Sequence, residues 1–158
     1  HHWEIEARRA EEFDLRVCLL RSAAVLSPDG GAMGKLLPVF RAGLGGPVAP
    51  GDQPFPWISV HEYLGVVRHL LCRSSLSGPI TLASPDRVTN RQFSKALARA
   101  LGRPCRLKVP GFAVRLAFGA MGKEILMKGV DAAPRGLHED GYAFEDRTLD
   151  EALERLLT

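Results

Sequence analysis

The sequence has few cysteines, no long apolar run and no paired metal-ligand spacing, and each absence excludes a class of protein. Three cysteines in 158 residues, each alone in an apolar context, form neither a disulfide framework nor a cysteine-rich metal site. No apolar stretch approaches the roughly 18 residues of a membrane-spanning helix, and the start lacks the pattern of a signal peptide. We therefore expect Cys18, Cys72 and Cys105 to be reduced, buried thiols of a cytoplasmic protein without a membrane partner.

Runs of like charge are missing as well. The net charge of +3 arises from 21 basic and 18 acidic residues that are scattered along the chain, so we expect no nucleic-acid partner. The five histidines do not cluster, and the one pair on a predicted helix, His61 and His69, is separated by more than two turns, too far for one metal ion. With 46% hydrophobic and 25% charged residues, the composition is that of one ordinary folded domain.

The glycine motifs depart from known phosphate-binding patterns. Gly34-Lys35 follows glycines, but Asp29 stands where a phosphate loop begins with glycine and Leu36 replaces the hydroxyl residue that binds magnesium. The stretch Gly43–Gly46 differs from a dinucleotide fingerprint, because Val48 replaces the third small residue and no strand precedes it. No serine lies in a Gly-x-Ser-x-Gly elbow. These stretches are interpreted as a turn with a helix start and a flexible loop.

The spacing of apolar residues predicts a mixed α/β chain. Two helices begin with a capping box, Thr89 with Gln92 and Thr148 with Glu151. The predicted helices cover residues 3–13, 32–42, 63–71, 89–101, 112–118, 123–128 and 149–157, and the predicted strands cover 16–21, 57–60 and 80–83, with weaker candidates at 106–109 and 142–144. The run 16–21 is almost continuously apolar, as in strands covered on both faces, so we expect further strands of its sheet upstream of residue 1.

The segment Pro54–Tyr63 organises the middle of the chain. Prolines on both sides of Phe55 keep it extended, so that Trp57 enters a short strand that continues directly into a helix. Trp57 is either a core residue, which is the commoner case, or the wall of a cleft. Arg21, at the end of the predicted strand 16–21, suits a carboxylate or phosphate ligand, and a salt bridge to an acidic neighbour explains it equally well.

A series of segments, taken in order, resembles one protein family. They are Trp3-Glu4, Leu20 to Leu26, Gly30 to Met33, Phe40 to Pro47, Pro56 to Ile58, Thr89-Asn90, Gln92-Phe93, Ala100 to Arg103, Gly141-Tyr142 and Glu151 to Leu153. The chain resembles the C-terminal half of the epimerase-family proteins, an atypical extended branch of the short-chain dehydrogenases/reductases that is described as sugar-nucleotide epimerase-like. The implied fold is α/β, the remnant of a Rossmann-type parallel sheet with a small, mostly helical substrate lobe.

The resemblance also implies which part of the family's fold each segment of residues 1–158 forms. Residues 1–31 would be a late helix and strand of the Rossmann sheet, 32–77 the loop and helices of the substrate lobe, 78–88 the last sheet strand and 89–158 the C-terminal helical lobe. NADP would be the cofactor, held mainly by a glycine-rich loop in the other half of the family's proteins. No catalytic, cofactor-binding or metal-binding residue is therefore assigned to this chain.

The substrate implied by the resemblance is a small molecule, such as a nucleotide sugar or a carbonyl compound. Its cleft would lie between the end of the strand 16–21, the turn 30–35 and the loop 53–59. The residues expected to contact it are Arg21, Met33, Lys35, Gln53, Trp57 and Ser59. The function implied is the substrate-lobe portion of an NADP-dependent oxidoreductase or nucleotide-sugar epimerase-like protein, inactive as an isolated chain; a non-catalytic nucleotide-binding or scaffold module is the alternative.

Two departures from the family pattern bear on activity. The Tyr-x-x-x-Lys pair of typical superfamily members, in which tyrosine is the general acid/base, is absent from the helix that precedes the strand 16–21. The family pattern Trp-Ile-His-(Ile/Val)-x-Asp-Leu is also altered, with Ser59, Glu62 and Tyr63 in place of its histidine, acid and leucine. Ser59 and Glu62 either form a capping box or mark the loss of an imidazole from the cleft. We also expect dimers or a swapped assembly, since an uncovered strand tends to associate.

Overall fold

The computed structural model describes residues 2–48, 50–73, 75–107, 109 and 132–158. The elements in chain order are α1 (His2–Arg8), a 3-10 turn (Arg9–Phe13), β1 (Cys18–Ser22), β2 (Ala24–Leu26), α2 (Gly31–Arg41), β3 (Trp57–Ser59), α3 (Val60–Cys72), β4 (Gly78–Leu82), α4 (Asn90–Ala100), α5 (Arg135–Glu139) and α6 (Leu149–Leu157). None of the helices within these ranges has the length and apolarity needed to cross a membrane. The helices predicted at 112–118 and 123–128 lie outside the described residues.

All strand pairing is parallel, and it changes partner at Ala23. β1 pairs with β4, with Leu20 opposite Ile80, and β2 pairs with β3, with Val25 opposite Ile58. At the junction the Ala23 amide donates to the Leu82 carbonyl at 2.9 Å, and the next amide donates to the Pro56 carbonyl at 3.1 Å. β1 and β2 are thus two halves of one strand, and β3 takes the place of β4 beside its second half.

The proline-flanked segment before β3 is held in place by hydrogen bonds and ring packing, and this positions β3 beside β2. Phe55 donates its backbone amide to the Val88 carbonyl at 2.9 Å, and the Trp57 indole donates to the Asp86 carbonyl at 3.1 Å. Phe55 also packs against Phe93, with ring centroids 4.2 Å apart. The prolines have no amide hydrogen, so they place no unpaired donor in this buried loop. The short strand predicted at Trp57 is therefore confirmed, and its tryptophan is 1% exposed.

The hydrophobic core consists of two clusters that β3 divides. The first contains Trp57 with apolar residues of α2, α4 and α6; the second contains Ile58 with residues of α3, β4 and α5. Successive side chains of a strand point to opposite faces, which explains why neighbours in β3 enter different clusters. Burying one such large side chain contributes about 1.5–3 kcal/mol. The predicted division of the chain into four segments stays a prediction.

Local signals predicted most helices correctly. Both capping boxes are present: Thr89 and Thr148 accept from the backbone amides of Gln92 and Glu151, whose side chains return to the cap amides. α3 begins three residues before the predicted range 63–71, and its burial does not follow side-chain polarity, because Leu71 is 75% exposed whereas Glu62 is 3% exposed. A helix at 135–139 and a strand at 24–26 were not among the predicted elements, and the weak candidate at 142–144 is not a strand.

The N-terminal strand is partly exposed, and one expectation about the thiols is wrong. In β1 Leu19 is buried but Leu20 is 37% exposed, and among the described residues β1 pairs only with β4; the further strands expected upstream of residue 1 stay a prediction. Glu4 of α1 forms an ion pair with Arg21 of β1. The cysteines are free as expected, but Cys72 is exposed and the other two are partly buried.

The glycine-rich loop after α2 is packed, not flexible. Gly45 and Gly46 are buried, and a methyl group on either would overlap the Phe40 ring or the Leu107 carbonyl oxygen, respectively. The loop is also tied to the segment before residue 110 by the Val109 amide, which donates to the Pro47 carbonyl at 2.9 Å. Glycine is required here for close approach of two backbones.

We expect Gly46→Ala to lower the free energy of unfolding by about 1–3 kcal/mol, because its methyl group would force the Leu107 backbone away. Gly34→Ala is the matched control: its methyl group would meet the Pro28 carbonyl oxygen at 3.6 Å and the Asp29 carbonyl carbon at 3.8 Å, both ordinary contacts. Because alanine favours helix, that variant should be unchanged or up to about 1 kcal/mol more stable. Urea unfolding measures both, and equal stability of the two variants would contradict the packing described here.

Candidate functional site

The ends of β2 and β3 give the best geometry for a site. Leu26 and Ser59 are register partners at the carboxyl ends of these parallel strands. α2 begins at Gly31, after the turn 27–30, and α3 begins at Val60, directly after β3. Ligands of open α/β folds bind at the carboxyl ends of strands, and helix N-termini favour anions. This is the region between the turn 30–35 and the loop 53–59 in which the sequence predicted a cleft.

Arg21 lies within a strand, and its charge is already paired. Its Nε and Nη2 atoms donate to the two carboxylate oxygens of Glu4 at 2.9 and 3.1 Å. This hydrogen bonding to Arg21 lowers the pKa of Glu4. Because β1 leads through Ala23 into β2, Arg21 is not at the end of a strand as predicted. The structure thus shows the salt bridge that was the alternative to a ligand contact.

The other five predicted residues do not line one open surface. Met33 and Trp57 are 0% and 1% exposed in the first core cluster, and Ser59 is 0% exposed. Gln53 shapes its own loop, since its Oε1 accepts from the Gly51 amide at 2.8 Å and its Nε2 donates to the Val48 carbonyl at 3.2 Å. Lys35 is exposed on α2. The structure therefore brings Met33 and Trp57 together, but as core residues.

Ser59 belongs to a buried polar network that sequence analysis only half identified. Its Oγ accepts from the Glu62 amide at 3.0 Å, which confirms the capping role, and it donates to the Asp146 carboxylate. Glu62 does not complete a capping box. Its Oε1 accepts from the Tyr142 hydroxyl at 2.5 Å, and its Oε2 accepts from the amides of Glu145 and Asp146 at 2.8 Å each. An acidic residue on the buried side of a helix was the available clue.

The network holds two buried carboxyl groups. Asp146 is 1% exposed; its Oδ1 has no hydrogen-bond partner but lies 3.3 Å from the Nε of Arg155 in an ion pair. Glu62 is in the first turn of α3 and Asp146 lies two residues before the N-cap of α6, so both are near positive helix ends. Burial, with hydrogen bonding to Glu62, raises the pKa of Tyr142. That phenol stays protonated at neutral pH and is therefore a poor general base.

The glycine-rich loop 43–46 does not fit a pyrophosphate. Gly45 and Gly46 make room for Phe40 and Leu107, not for a ligand, and they are buried. The two tyrosines of the sequence are followed four residues later by Val67 and Asp146, so neither forms the Tyr-x-x-x-Lys pair. We therefore assign no cofactor contact to this chain and derive no chemical step that passes through NADP.

Two grooves lie along the seam between α4 and α6. One, of about 510 Å³, is lined by Arg99, Leu153 and Glu154 among others; the second, of about 280 Å³, is lined by Gln92, Lys95 and neighbouring residues. The ion pair of Arg99 with Asp150, in which Nη2 donates to both carboxylate oxygens at 2.5 and 2.6 Å, borders both grooves. Neither groove contains a residue that the sequence predicted to bind substrate.

The curated relatives of this chain are epimerase family proteins. A family model described as "Domain of unknown function (DUF1731)" matches residues 109–156. The chain is 39% identical over 151 residues to an epimerase family protein of Mycobacterium bovis, covering 96% of this chain and 50% of that protein. It is 34% identical over 155 residues to epimerase family protein SDR39U1 of Homo sapiens, covering 98% of this chain and 53% of that protein. The chain thus spans about half the length of these relatives.

Solved structures agree with this result. The crystal structure of human epimerase family protein SDR39U1 with NADPH matches with a TM-score of 0.83 and 35% identity, over 89% of this chain and 48% of that one. A nucleoside-diphosphate sugar epimerase from Corynebacterium glutamicum matches with a TM-score of 0.72 at 22% identity, over 98% of this chain and 29% of that one, which supports the fold alone. The predicted α/β fold and resemblance are confirmed. The chain belongs to the epimerase family of the short-chain dehydrogenases/reductases and has the fold of the C-terminal part of its members.

Proposed function

We propose that this chain is the substrate-lobe portion of an NADP(H)-linked oxidoreductase or nucleotide-sugar epimerase-like protein and is inactive on its own. The observation that carries the proposal is the 0.83 TM-score to the human relative crystallised with NADPH, of which this chain covers 48%. The loop 43–46 supports it, since the space beside Gly45 and Gly46 is filled by protein atoms and not open to a phosphate. We also propose a cytoplasmic location, which the three free thiols support.

The proposed substrate is a small molecule, a nucleotide sugar or a carbonyl compound, that approaches the carboxyl ends of β2 and β3. Lys35 would supply positive charge at the rim, whereas Arg21 lies in β1, before these strand ends, and is paired with Glu4. Gln53 would position its loop toward the substrate through its bonds to the loop backbone. Met33, Trp57 and Ser59 are buried, so they would shape the site from the protein interior. A nucleotide sugar fits this arrangement through its phosphates, which suit helix N-termini and basic side chains.

A non-catalytic nucleotide-binding or scaffold module is the second candidate. Within these 158 residues neither Tyr63 nor Tyr142 is part of a Tyr-x-x-x-Lys pair, and the raised pKa of Tyr142 makes that phenol a poor general base, which favours this candidate. The two candidates differ in one measurement on a family protein that contains this segment. Turnover of a nucleotide sugar or carbonyl compound supports the first, and NADPH binding without turnover supports the second.

Titration of the 158-residue chain with NADPH should give no saturable change in cofactor fluorescence. The reason is that the glycine-rich loop of this chain is filled by its own side chains and backbone. The full-length human relative, whose crystal structure contains NADPH, is the positive control under the same conditions. Tight, saturable binding by this chain would show that the assignment of the cofactor site to the other half of the family's proteins is wrong.

We further propose that copies of this chain associate through its N-terminal surface. Large apolar side chains on and after α1 are strongly exposed: Trp3 89%, Ile5 58%, Phe13 75% and Leu15 60%. Next to them β1 has an edge that pairs with no strand among the described residues. Exposed apolar patches and open strand edges both favour self-association.

Light scattering coupled to size-exclusion chromatography should show dimers or swapped assemblies that increase with protein concentration. The double variant Trp3→Glu/Phe13→Glu should shift the equilibrium toward monomer, because each change places a charge in the exposed apolar surface. Leu71→Glu is the matched control, since Leu71 is as exposed as Phe13, at 75%, but lies on α3 and not in the N-terminal surface. A stable monomer at every concentration would contradict the proposed association.

A further inference from the structure

Residues 140–146, called the strap here, cross α3 between α5 and α6. They form no helix or strand, and yet Phe144 and Asp146 are 6% and 1% exposed. The strap contributes the buried Phe144 and the partly buried Tyr142 to the second cluster, whereas α6 is anchored in the first cluster by Leu149, Ala152, Leu153 and Leu156. The strap is therefore less deeply anchored in the core than α6, and polar contacts to α3 also hold it.

These polar contacts gather at two points, two turns apart on α3. At one point His69 Nε2 and Asp140 Oδ2 are 2.7 Å apart. At the other, the carboxylate of Glu62 accepts from the Tyr142 hydroxyl and from the amides of Glu145 and Asp146. Because three bonds of the strap end on one carboxylate, displacement of that group breaks them together.

Gly65 is the feature that allows this arrangement. It lies inside α3, where glycine is about 1 kcal/mol less favourable than alanine, so its presence requires a structural reason. A methyl group at this position would lie 2.5 Å from Tyr142 Oη and 3.7 Å from Glu62 Oε1. The glycine thus forms a notch in the helix that receives the tyrosine hydroxyl. The ring itself is also held, edge-on to Phe144 at 4.9 Å and to His69 at 5.2 Å.

We propose that the strap opens locally as a unit, with the Tyr142–Glu62 hydrogen bond in the Gly65 notch as its latch, and that opening frees the Ser59 hydroxyl from Asp146. Segments with little buried apolar area open at lower free energy than the core that carries them. Ser59 is 0% exposed while the strap is closed. Control of access to a substrate contact would rest on the proposed function, whereas the opening itself does not require any ligand to bind.

Amide hydrogen exchange of the 158-residue chain, followed by NMR, tests the latch. In Gly65→Ala the amides of Glu145 and Asp146 should exchange at least about tenfold faster, as expected for losing a hydrogen bond to a charged group. The amides of Leu97 and Ala98 in α4 should be unchanged. Gly136→Ala is the matched control, because a methyl group there would meet nothing within 4 Å, and it should leave the strap amides unchanged.

A second variant isolates the hydroxyl group. Tyr142→Phe keeps the ring but removes Oη, so exchange of the same two amides should again rise by about tenfold. In the double variant Gly65→Ala/Tyr142→Phe, the added methyl group should cause no further increase, because the atom it would meet is gone. The proposal is overturned if Gly65→Ala has the same effect with and without the hydroxyl, if the strap amides do not respond, or if the α4 amides accelerate equally.

Discussion

The fold depends on the backbone hydrogen bonds at which one strand changes its neighbour. Ala23 bonds to the end of β4, and the next residue bonds to the loop before β3, so a single strand joins two separately connected partners. The Ser84 amide closes the junction by donating to the Trp57 carbonyl at 2.6 Å. With these bonds in place, β3 lies between the two core clusters and delivers one large side chain to each.

The elements predicted correctly from sequence are those specified by nearby residues. The capping boxes at Thr89 and Thr148 and the proline-flanked entry to β3 are local patterns, and each has the expected geometry. The partner change at Ala23 depends on residues more than 30 positions away, which periodicity does not contain. The apolar run 16–21 indicated a strand correctly, but its coverage depends on which elements pack against it, and Leu20 is partly exposed.

For the candidate site, too, local sequence patterns leave the long-range contacts undetermined. The sequence pattern proposed a region at the junction of short strands and helix starts, but it did not indicate which side chains are accessible. Trp57 and Ser59 belong to a short strand buried on both faces, so they support the region from inside. The glycine-rich stretches also allowed two interpretations from sequence. A glycine can make room for a phosphate or for another segment of backbone, and Gly46 does the second. The partner of Ser59 is Asp146, 87 residues later, which no local motif could identify.

The alternation of Trp57 and Ile58 between two cores also limits how this chain can vary. β3 has only three residues and runs straight into α3, so it has no spare length at either end. Loss or gain of one residue in the preceding loop would rotate the strand by half a period and direct an indole into the space that fits isoleucine. The number of residues in this loop is therefore set by the two cores that it feeds, in addition to the constraint on residue types such as the buried Phe55.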